Sequence, residues 1–268
     1  MGDFNIKANK KFGQNFLKDE ATLNKIIESV FDMVDNFKGE SLDIIEIGPG
    51  LGDLSVKLLN NFSLIAYEID KRLCKYLENR FSKNDFTLHN KDILSIEISK
   101  NNQGESCWLH NKPYILVSNL PYYIATRIIL NALDDRKCKG MVVMTQKEVA
   151  YKFCAKPLDS DFCAISVITQ SLSKAIKLIS IVPPSAFNPA PKVDSAIFCI
   201  TKNDNILEKD FYDFIKLAFT SPRKTIHKNL SKIENIEKIL ESLSIKKTTR
   251  AHQLSTSQYH QIFKLTRK

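Results

Sequence analysis

A glycine-rich segment directly follows the first long apolar run of the chain. It spans residues 44–52, reads IIEIGPGLG, and places Gly48, Gly50 and Gly52 at alternating positions. Glycine allows a tight backbone turn and lets a ligand lie against the chain without an intervening Cβ atom. A dinucleotide loop, GxGxxG, would need glycine where this chain has Asp53, so the segment with its proline fits S-adenosylmethionine better than a pyrophosphate. A strand-to-helix turn without a ligand is the alternative that the segment alone leaves open.

Two carboxylates follow the next two predicted strands. Glu68 stands 20 residues beyond Gly48, where a carboxylate accepts hydrogen bonds from both hydroxyls of a ribose and repels a ribose phosphate. This position argues against NADP as the ligand. Asp92 follows the third strand, and its carboxylate is a candidate acceptor for an adenine amine; an ordinary surface aspartate is the alternative.

The tetrapeptide Asn119-Leu120-Pro121-Tyr122 follows the apolar run 114–117. An enzyme that methylates an exocyclic amine needs acceptors for both amine hydrogens and a platform for the ring, because the nitrogen lone pair is delocalised into the base. Asn119 supplies a side-chain carbonyl, and Leu120, held extended before the proline, supplies a backbone carbonyl. Tyr122 supplies a stacking face. Four residues alone are also compatible with a turn, but these end a strand of the same predicted sheet as the glycine segment, at the edge where such folds bind ligands.

The pattern of apolar residues predicts the elements that hold these groups. Helical spacing predicts an amphipathic helix over residues 19–34. Beyond it, short apolar runs alternate with helical stretches, which indicates an α/β fold with parallel strands buried on both faces. These runs are 42–47, 64–69, 114–117 and 141–144, and the helical stretches lie near 53–60, 71–81, 124–134 and 147–155. Two further apolar runs, 176–182 and 195–200, flank a proline-rich segment.

Proline and glycine usage mark the later part of the chain. Four of the nine residues 183–191 are proline, which predicts a rigid loop between two strands. All eight glycines lie at or before Gly140, and helical spacing dominates from Phe211 onward. We therefore expect a sheet domain over residues 1–202, which carries the binding motifs, and a small all-helical domain over 203–268.

Charge is distributed unevenly along the chain. The formal net charge is +9, from 39 Lys and Arg against 30 Asp and Glu, and residues 192–268 contain 15 basic and 8 acidic residues, a surplus of +7. A basic C-terminal region favours a polyanionic partner, since each phosphate that is neutralised releases counterions. Lysines that only solvate the surface are the alternative. We expect contacts to RNA phosphates from residues such as Arg223, Lys224 and Lys228.

Composition excludes several other classes of protein. The longest apolar run has five residues, 196–200, whereas a membrane-spanning helix needs about 20. The first residues lack the apolar stretch of a signal peptide, so we expect a cytoplasmic protein without membrane contact. Six cysteines occur without a CxxC pair, and none of the five histidines lies in a motif, so we expect reduced cysteines and no metal. We also expect a monomer.

Taken together, these motifs resemble the small-subunit ribosomal RNA adenine dimethyltransferases, the kasugamycin-sensitivity methyltransferase family. The resemblance covers nearly the whole chain. It rests on residues 11–17 (KFGQNFL), 46–52, 68–70 (EID), 119–122, 146–150 (QKEVA), 187–196 and 223–225 (RKT).

The resemblance implies a fold, a cofactor and a substrate. The fold is a seven-stranded, Rossmann-like class I methyltransferase sheet, and the cofactor is S-adenosylmethionine. The substrate is a pair of adjacent adenosines in a hairpin loop near the 3′ end of 16S rRNA, within the small subunit or its precursor, dimethylated at N6 with a role in subunit biogenesis. The leading segment closes over the cofactor in this family, so Asn15 and Leu17 are expected to contact it. Phe187, in the proline-rich loop, is expected to cover the second face of the target base, with ordinary core packing as the alternative.

The chain departs from the family pattern at two places. Phe162-Cys163-Ala164 stands where relatives usually have Tyr-Gly-Arg, and His252 stands where an acid is common. A large-subunit rRNA adenine methyltransferase of the macrolide-resistance type is one alternative, although those proteins tend to read Gly-x-Gly-Lys-Gly, with lysine in place of Leu51. A non-catalytic ribosome-assembly factor on a methyltransferase scaffold is another, and the intact tetrapeptide at 119–122 argues against it.

Overall fold

The structure is a computed structural model that describes residues 6–100 and 106–267. Within these ranges, none of the helices has the length and apolar character needed to cross a membrane. The strands are β1 (Phe16–Leu17), β2 (Asp43–Ile47), β3 (Leu64–Glu68), β4 (Phe86–Asn90), β5 (Ser99–Lys100), β6 (Ser106–Cys107), β7 (Tyr114–Asn119), β8 (Cys138–Gln146), β9 (Ser173–Val182), β10 (Phe187–Asn188) and β11 (Ser195–Lys202). The helices are α1 (Glu20–Asp35), α2 (Asp53–Leu59), α3 (Lys71–Arg80), α4 (Ala125–Asp134), α5 (Lys147–Cys154), α6 (Ala164–Ser171), α7 (Lys209–Ala218), α8 (Ile226–Asn229), α9 (Ile236–Ser242) and α10 (Thr256–Thr266).

Seven strands form one mixed sheet in the order β4-β3-β2-β7-β8-β11-β9. The pairs β4-β3, β3-β2, β2-β7 and β7-β8 are parallel, and β11 runs antiparallel to β8. The strand order reverses direction between β2 and β7, which leaves a crevice at the carboxyl ends of these strands, where open α/β sheets bind ligands. The predicted seven-stranded α/β sheet is confirmed.

The core explains why the central strands read as continuous apolar runs. Tyr114 and the next three residues of β7 are fully buried, as are the central residues of β8, because helices cover both faces of a parallel sheet. Helix α1 packs on β8 and β11 with one apolar stripe, and Gly140 allows this close approach, since a Cβ there would lie 2.7 Å from Met33 Sδ and 2.8 Å from the Ile200 carbonyl oxygen. This packing fixes the strands whose ends carry the candidate site.

The chain divides into two compact units. The first contains Met1–Ala150 and Ala175–Lys202, and the second contains Tyr151–Lys174 and Asn203–Lys268. The second unit therefore differs from the expected helical domain 203–268 by also including residues 151–174. Helix α6 lies in that added segment and packs on α7 and α10, and Ser171 Oγ lies 2.8 Å from His260 Nε2. The division into functional domains at residue 202 stays a prediction.

Candidate active site

One pocket in the first unit brings together most of the residues that the sequence singled out. It opens at the carboxyl ends of β2, β3 and β7, under the leading segment of the chain. The predicted site residues in its wall are Asn15, Leu17, Gly48, Gly50, Glu68, Asp92, Asn119, Leu120, Pro121 and Tyr122. Gly52 lies just behind this wall, at the start of α2, and Phe187 does not contribute to it.

Residues 48–51 of the glycine segment form the floor of the pocket. The segment favours glycine because its backbone has positive φ angles and its neighbours leave little room for a Cβ. Gly50 and Gly52 have φ angles of +60° and +81°. A Cβ on Gly50 would lie 3.0 Å from Phe16 Cδ1, and one on Gly52 would lie 2.8 Å from Phe81 Cε2. The loop therefore presents bare backbone to the pocket, as a cofactor lying along it requires.

Glu68 is held at the end of β3 by backbone donors. Its Oε1 accepts from Asp70 N at 2.9 Å and its Oε2 from Gly50 N at 3.4 Å, although the residue is only 5% exposed. Burial raises the pKa of Glu68, and its backbone hydrogen bonds partly oppose that shift. A carboxylate fixed beside the glycine floor, with lone pairs still available, is suited to accept from the hydroxyls of a ribose.

Glu46 is a second buried carboxyl group at the pocket wall. Burial and, to a smaller extent, the charges of Glu68 and Asp53 raise its pKa to about 8, although a hydrogen bond from Ser55 Oγ (2.6 Å) opposes the shift. At neutral pH this group is therefore largely protonated in the ligand-free protein.

Asp92 follows β4, lies in the wall of the pocket and begins a short 3₁₀ turn. Its Oδ1 accepts from Leu94 N at 2.9 Å, which fixes the carboxylate and leaves Oδ2 for a ligand. The ring of Tyr123, which is 63% exposed, also lines this side of the pocket.

The tetrapeptide leaves β7 as a braced loop. Leu120 N donates to Met144 O of β8 at 2.9 Å, and the hydroxyl oxygen of Tyr122 lies 2.6 Å from Ser195 Oγ of β11. Asn119 Nδ2 donates to the backbone oxygen of Asn15 at 3.2 Å. This bond orients the amide, and its oxygen, Oδ1, can accept a hydrogen bond from a ligand. The arrangement presents an oriented carbonyl and an aromatic ring beside the glycine floor.

The leading segment of the chain, residues 12–17, forms one wall of the pocket. Gln14 Nε2 donates to Asp70 Oδ2 at 3.1 Å, and the ring of Phe16 lies over Gly50. The sequence reasoning did not assign a role to Gln14, Phe16 or Ser195. Gln14 and Phe16 belong to the KFGQNFL segment and Ser195 to the 187–196 segment, so the family resemblance contained a signal for all three.

Phe187 occupies a different environment from the other predicted site residues. It is 5% exposed, pairs with Leu17 between β10 and β1, and belongs to the hydrophobic core beside α1. In this conformation the Phe187 ring packs in the hydrophobic core, as the alternative interpretation of the sequence has it. The ring does not line the pocket. Its role as a cover for the target base stays a prediction.

The predicted RNA-contacting residues lie in the second unit. Arg223 and Lys224 are exposed in the connection between α7 and α8, and Lys228 is exposed on α8. No ion pair links these three side chains to an acidic residue of the described part of the chain. Their positive charges are therefore available to a polyanion.

The residues of the pocket fit S-adenosylmethionine. The pocket combines a glycine floor that a cofactor can approach closely with two carboxylates, Glu68 and Asp92, which are fixed by backbone donors and keep lone pairs for a ligand. With the sheet order described above, they define a class I S-adenosylmethionine-dependent methyltransferase.

Comparison with known proteins identifies the family. The family profile for ribosomal RNA adenine dimethylase matches residues 5–268. A protein of Sulfurimonas denitrificans named ribosomal RNA small subunit methyltransferase A is 48% identical over 98% of this chain and 95% of its own length. A protein of the same name from Helicobacter hepaticus is 44% identical over 98% of this chain and 92% of its own length. The chain therefore belongs to the ribosomal RNA adenine dimethylase family, and the resemblance noted in the sequence is confirmed.

Solved structures support the fold. A dimethyladenosine transferase from Plasmodium falciparum superposes with a TM-score of 0.76 at 22% identity, covering 94% of this chain and 98% of that one. The 23S rRNA methyltransferase ErmE superposes with a TM-score of 0.72 at 24% identity, covering 95% of this chain and 100% of that one. At these identities the likeness establishes the shared fold.

We predict that Glu68→Gln weakens the binding of S-adenosylmethionine about tenfold. The change keeps the shape but replaces an ionic acceptor with a neutral one, and hydrogen bonds to charged groups contribute about 1.5–3 kcal/mol against about 1 kcal/mol for neutral ones. Calorimetry at constant salt measures the effect, with Glu78→Gln, on the exposed face of α3, as the matched control. Unchanged affinity in Glu68→Gln would place the ribose elsewhere.

We predict that Glu46 makes the ligand-free protein less stable as pH rises from about 4.5 to about 8. The unfolded chain releases this proton near the ordinary glutamate pKa of 4.5, while the folded chain retains it up to about 8. The free energy of unfolding should therefore fall by up to about 1.4 kcal/mol per pH unit in this window from this group. Glu46→Gln should remove that slope, so its stability relative to the parent should grow with pH.

Urea unfolding at a series of pH values tests this expectation. Glu40→Gln, an exposed glutamate that loses the same charge, serves as the control and should follow the parent. A Glu46→Gln curve parallel to that of the parent would mean that Glu46 is ionised in the folded protein at neutral pH.

Proposed function

We propose that this chain transfers methyl groups from S-adenosylmethionine to N6 of two adjacent adenosines in the hairpin loop near the 3′ end of 16S rRNA, twice on each. The observation that carries the proposal is the placement of Asn119, Leu120 and Tyr122 in the wall of the same pocket as the glycine floor. The names of the relatives that match over nearly the full chain point to the same small-subunit substrate.

The amine of the target base is oriented by two acceptors. Asn119 Oδ1 accepts one amine hydrogen, and its orientation is supported by the bond from Nδ2 to Asn15 O. The backbone carbonyl of Leu120 accepts the other hydrogen, and the tie from Leu120 N to Met144 O supports its position. Drawing both hydrogens toward oxygen turns the nitrogen lone pair away from the base and toward the methyl donor.

The cofactor supplies a methyl group that its positively charged sulfur already activates, so the chain does not need a strong base. The residues of the chain contribute proximity and alignment, which carry most of the rate enhancement in such a transfer. Tyr122 stacks on the target base after the base has left its neighbours in the RNA. For Phe187 to cover the second face of the base, its ring must first leave the core.

The helical C-terminal region holds the RNA by its phosphates. Support comes from the exposed positions of Arg223, Lys224 and Lys228 and from the surplus of +7 over residues 192–268, obtained as 15 basic minus 8 acidic residues. The partner is 16S rRNA within the small subunit or its precursor, and the protein acts as a cytoplasmic monomer with a role in subunit biogenesis.

The experiment that tests the function uses labelled S-adenosylmethionine with small subunits that lack these methyl groups. Nuclease digestion then maps the label. We expect dimethyladenosine at two adjacent positions near the 3′ end of 16S rRNA. Label in large-subunit rRNA would favour the macrolide-resistance type of enzyme, and binding without any label would favour an assembly factor that does not catalyse.

In the same assay, Asn119→Ala should abolish methylation while cofactor affinity falls by less than about tenfold. The asparagine orients the amine, so its loss should lower kcat rather than cofactor binding. Asn79→Ala is the matched control, since the Asn79 amide is exposed on α3 and donates within its own helix. An Asn119→Ala variant that still turns over would remove the role assigned to this residue.

Replacing Arg223, Lys224 and Lys228 together by glutamine should weaken RNA binding and flatten its dependence on salt. The slope of log affinity against log salt should fall by about 0.7–0.9 for each phosphate that the protein no longer neutralises, or roughly 2–3 in total. The control replaces Lys209, Lys216 and Lys247, which are exposed in the same unit but paired with Asp213 and Glu237. Equal slopes in the two triple variants would show that Arg223, Lys224 and Lys228 only solvate the surface.

A further inference from the structure

The phenol of Tyr122 is tied to a residue that lies outside the pocket. Its hydroxyl oxygen lies 2.6 Å from Ser195 Oγ, which is hydrogen-bond distance between two hydroxyl groups. Ser195 is completely buried and is absent from the pocket wall, so it has no direct route to cofactor or base. The two residues are 73 positions apart in the chain.

The sheet fixes where the Ser195 hydroxyl lies. Ser195 is the first residue of β11 and pairs with Gln146 of β8, while Ile197 pairs with Met144. Residues at alternate positions of a strand face the same side, so Ser195 shares its face with Ile197, which is fully buried in the core. The serine is thereby held by the strand pairing and by the packing next to it.

The same strand pair also holds the other end of the tetrapeptide. Leu120 N donates to Met144 O of β8, and Met144 pairs with Asn119 on one side and with Ile197 on the other. The loop is therefore attached to β8 at its start and to β11 at the tip of the Tyr122 ring. A tyrosine ring turns about two side-chain bonds. Its hydroxyl oxygen lies on the axis of the second bond, so an anchor at that oxygen restricts rotation about the first bond and thereby fixes the position of the ring.

We propose that Ser195 is a positioning residue for methyl transfer, holding the ring of Tyr122 at the position where the target base stacks with its amine aligned to the methyl donor. This inference rests on the stacking role of Tyr122 in the proposed function. It gives the antiparallel strand β11 a part in catalysis through one hydroxyl group. A small shift in the position of the ring moves the amine away from in-line geometry, to which group transfer is sensitive.

This role separates the effects on rate from those on binding. RNA affinity depends chiefly on phosphate contacts, and cofactor affinity depends on the glycine floor and its carboxylates, neither of which involves Ser195. Removing the Ser195 hydroxyl should therefore lower kcat while the KM for RNA and the Kd for S-adenosylmethionine stay within about twofold.

The test is a double-mutant cycle on the two hydroxyl groups. Ser195→Ala and Tyr122→Phe each remove one partner of a single neutral hydrogen bond, and each should lower kcat about 3- to 10-fold. The variant with both changes should lose no more than either single variant, since the bond is already broken. Losses that multiply in the double variant, or a Ser195→Ala variant with the kcat of the parent, would overturn the proposal.

Thr145→Val provides the matched control. Thr145 lies on β8 opposite Ala196, one position from the pairing of Ser195, so its side chain is on the other face of the sheet. It is completely buried, and its Oγ1 has no hydrogen-bond partner among the described residues. Loss of this neighbouring hydroxyl should leave kcat unchanged, whereas an effect equal to that of Ser195→Ala would mean that both changes act through general packing.

Two further measurements separate this inference from the proposed function. Tyr122→Ala removes the whole platform and should lower kcat at least 100-fold; if it does not, the stacking role of Tyr122 fails, and the positioning role of Ser195 fails with it. In protein labelled with fluorotyrosine, the resonance that disappears in Tyr122→Phe should shift in Ser195→Ala and stay in place in Thr145→Val, which requires no turnover. A resonance unmoved by Ser195→Ala would overturn the positioning role even where methylation itself is confirmed.

Discussion

The close approach of backbone and side chains at the glycine segment is the constraint on which the rest of the site depends. Helix α2 begins directly after Gly52, which adopts a positive φ angle and leaves room for Phe81. The same loop receives the ring of Phe16 at Gly50, and Gly50 N donates to Glu68. The glycine floor, the leading segment and the Glu68 carboxylate therefore meet at one short stretch of backbone, where a Cβ on Gly50 would crowd the ring of Phe16.

Buried acidic groups give the pocket its electrostatic character. Burial raises the pKa of both Glu46 and Glu68. The charge of Glu68 raises the pKa of Glu46 as well, and the charge of Asp70 raises that of Glu68. Asp70 differs, because hydrogen bonds from Arg72, above all, and from Gln14 lower its pKa despite some burial. A positively charged ligand would offset the repulsion between the carboxylates of Glu68 and Asp70, and a phosphorylated one would increase it. The pocket thus favours a sulfonium cofactor over a dinucleotide by charge as well as by shape.

The antiparallel strand β11 does more than extend the sheet. It packs beside β8, which carries the backbone oxygen that holds Leu120, and it provides the hydroxyl that meets Tyr122. On the opposite side, the leading segment reaches Asn119 through the oxygen of Asn15. The candidate acceptors for the target amine are therefore held between two segments from opposite ends of the first unit's sequence.

The sequence by itself determined the parts of this protein that depend on neighbouring residues. Alternating apolar runs and helical stretches predicted the α/β sheet, and glycine spacing predicted the floor of the pocket, because strand burial and turn geometry are local properties. The carboxyl ends of β2, β3 and β7 meet at one sheet edge, so Gly48, Glu68 and Asn119 could be expected to converge.

Only the tertiary structure decided the contacts between distant residues. The bond from Asn119 to Asn15 joins positions 104 apart, and the Tyr122–Ser195 pair joins positions 73 apart. Phe187 shows the same limit: its proline-rich loop is compatible with both a base cover and a core residue, and packing beside Leu17 and α1 placed it in the core. The grouping of residues 151–174 with the C-terminal helices depends likewise on the packing of α6 against α7 and α10. Spacing along the chain carries no information about which distant side chains meet, because side-chain packing and strand register decide that only once the sheet has formed.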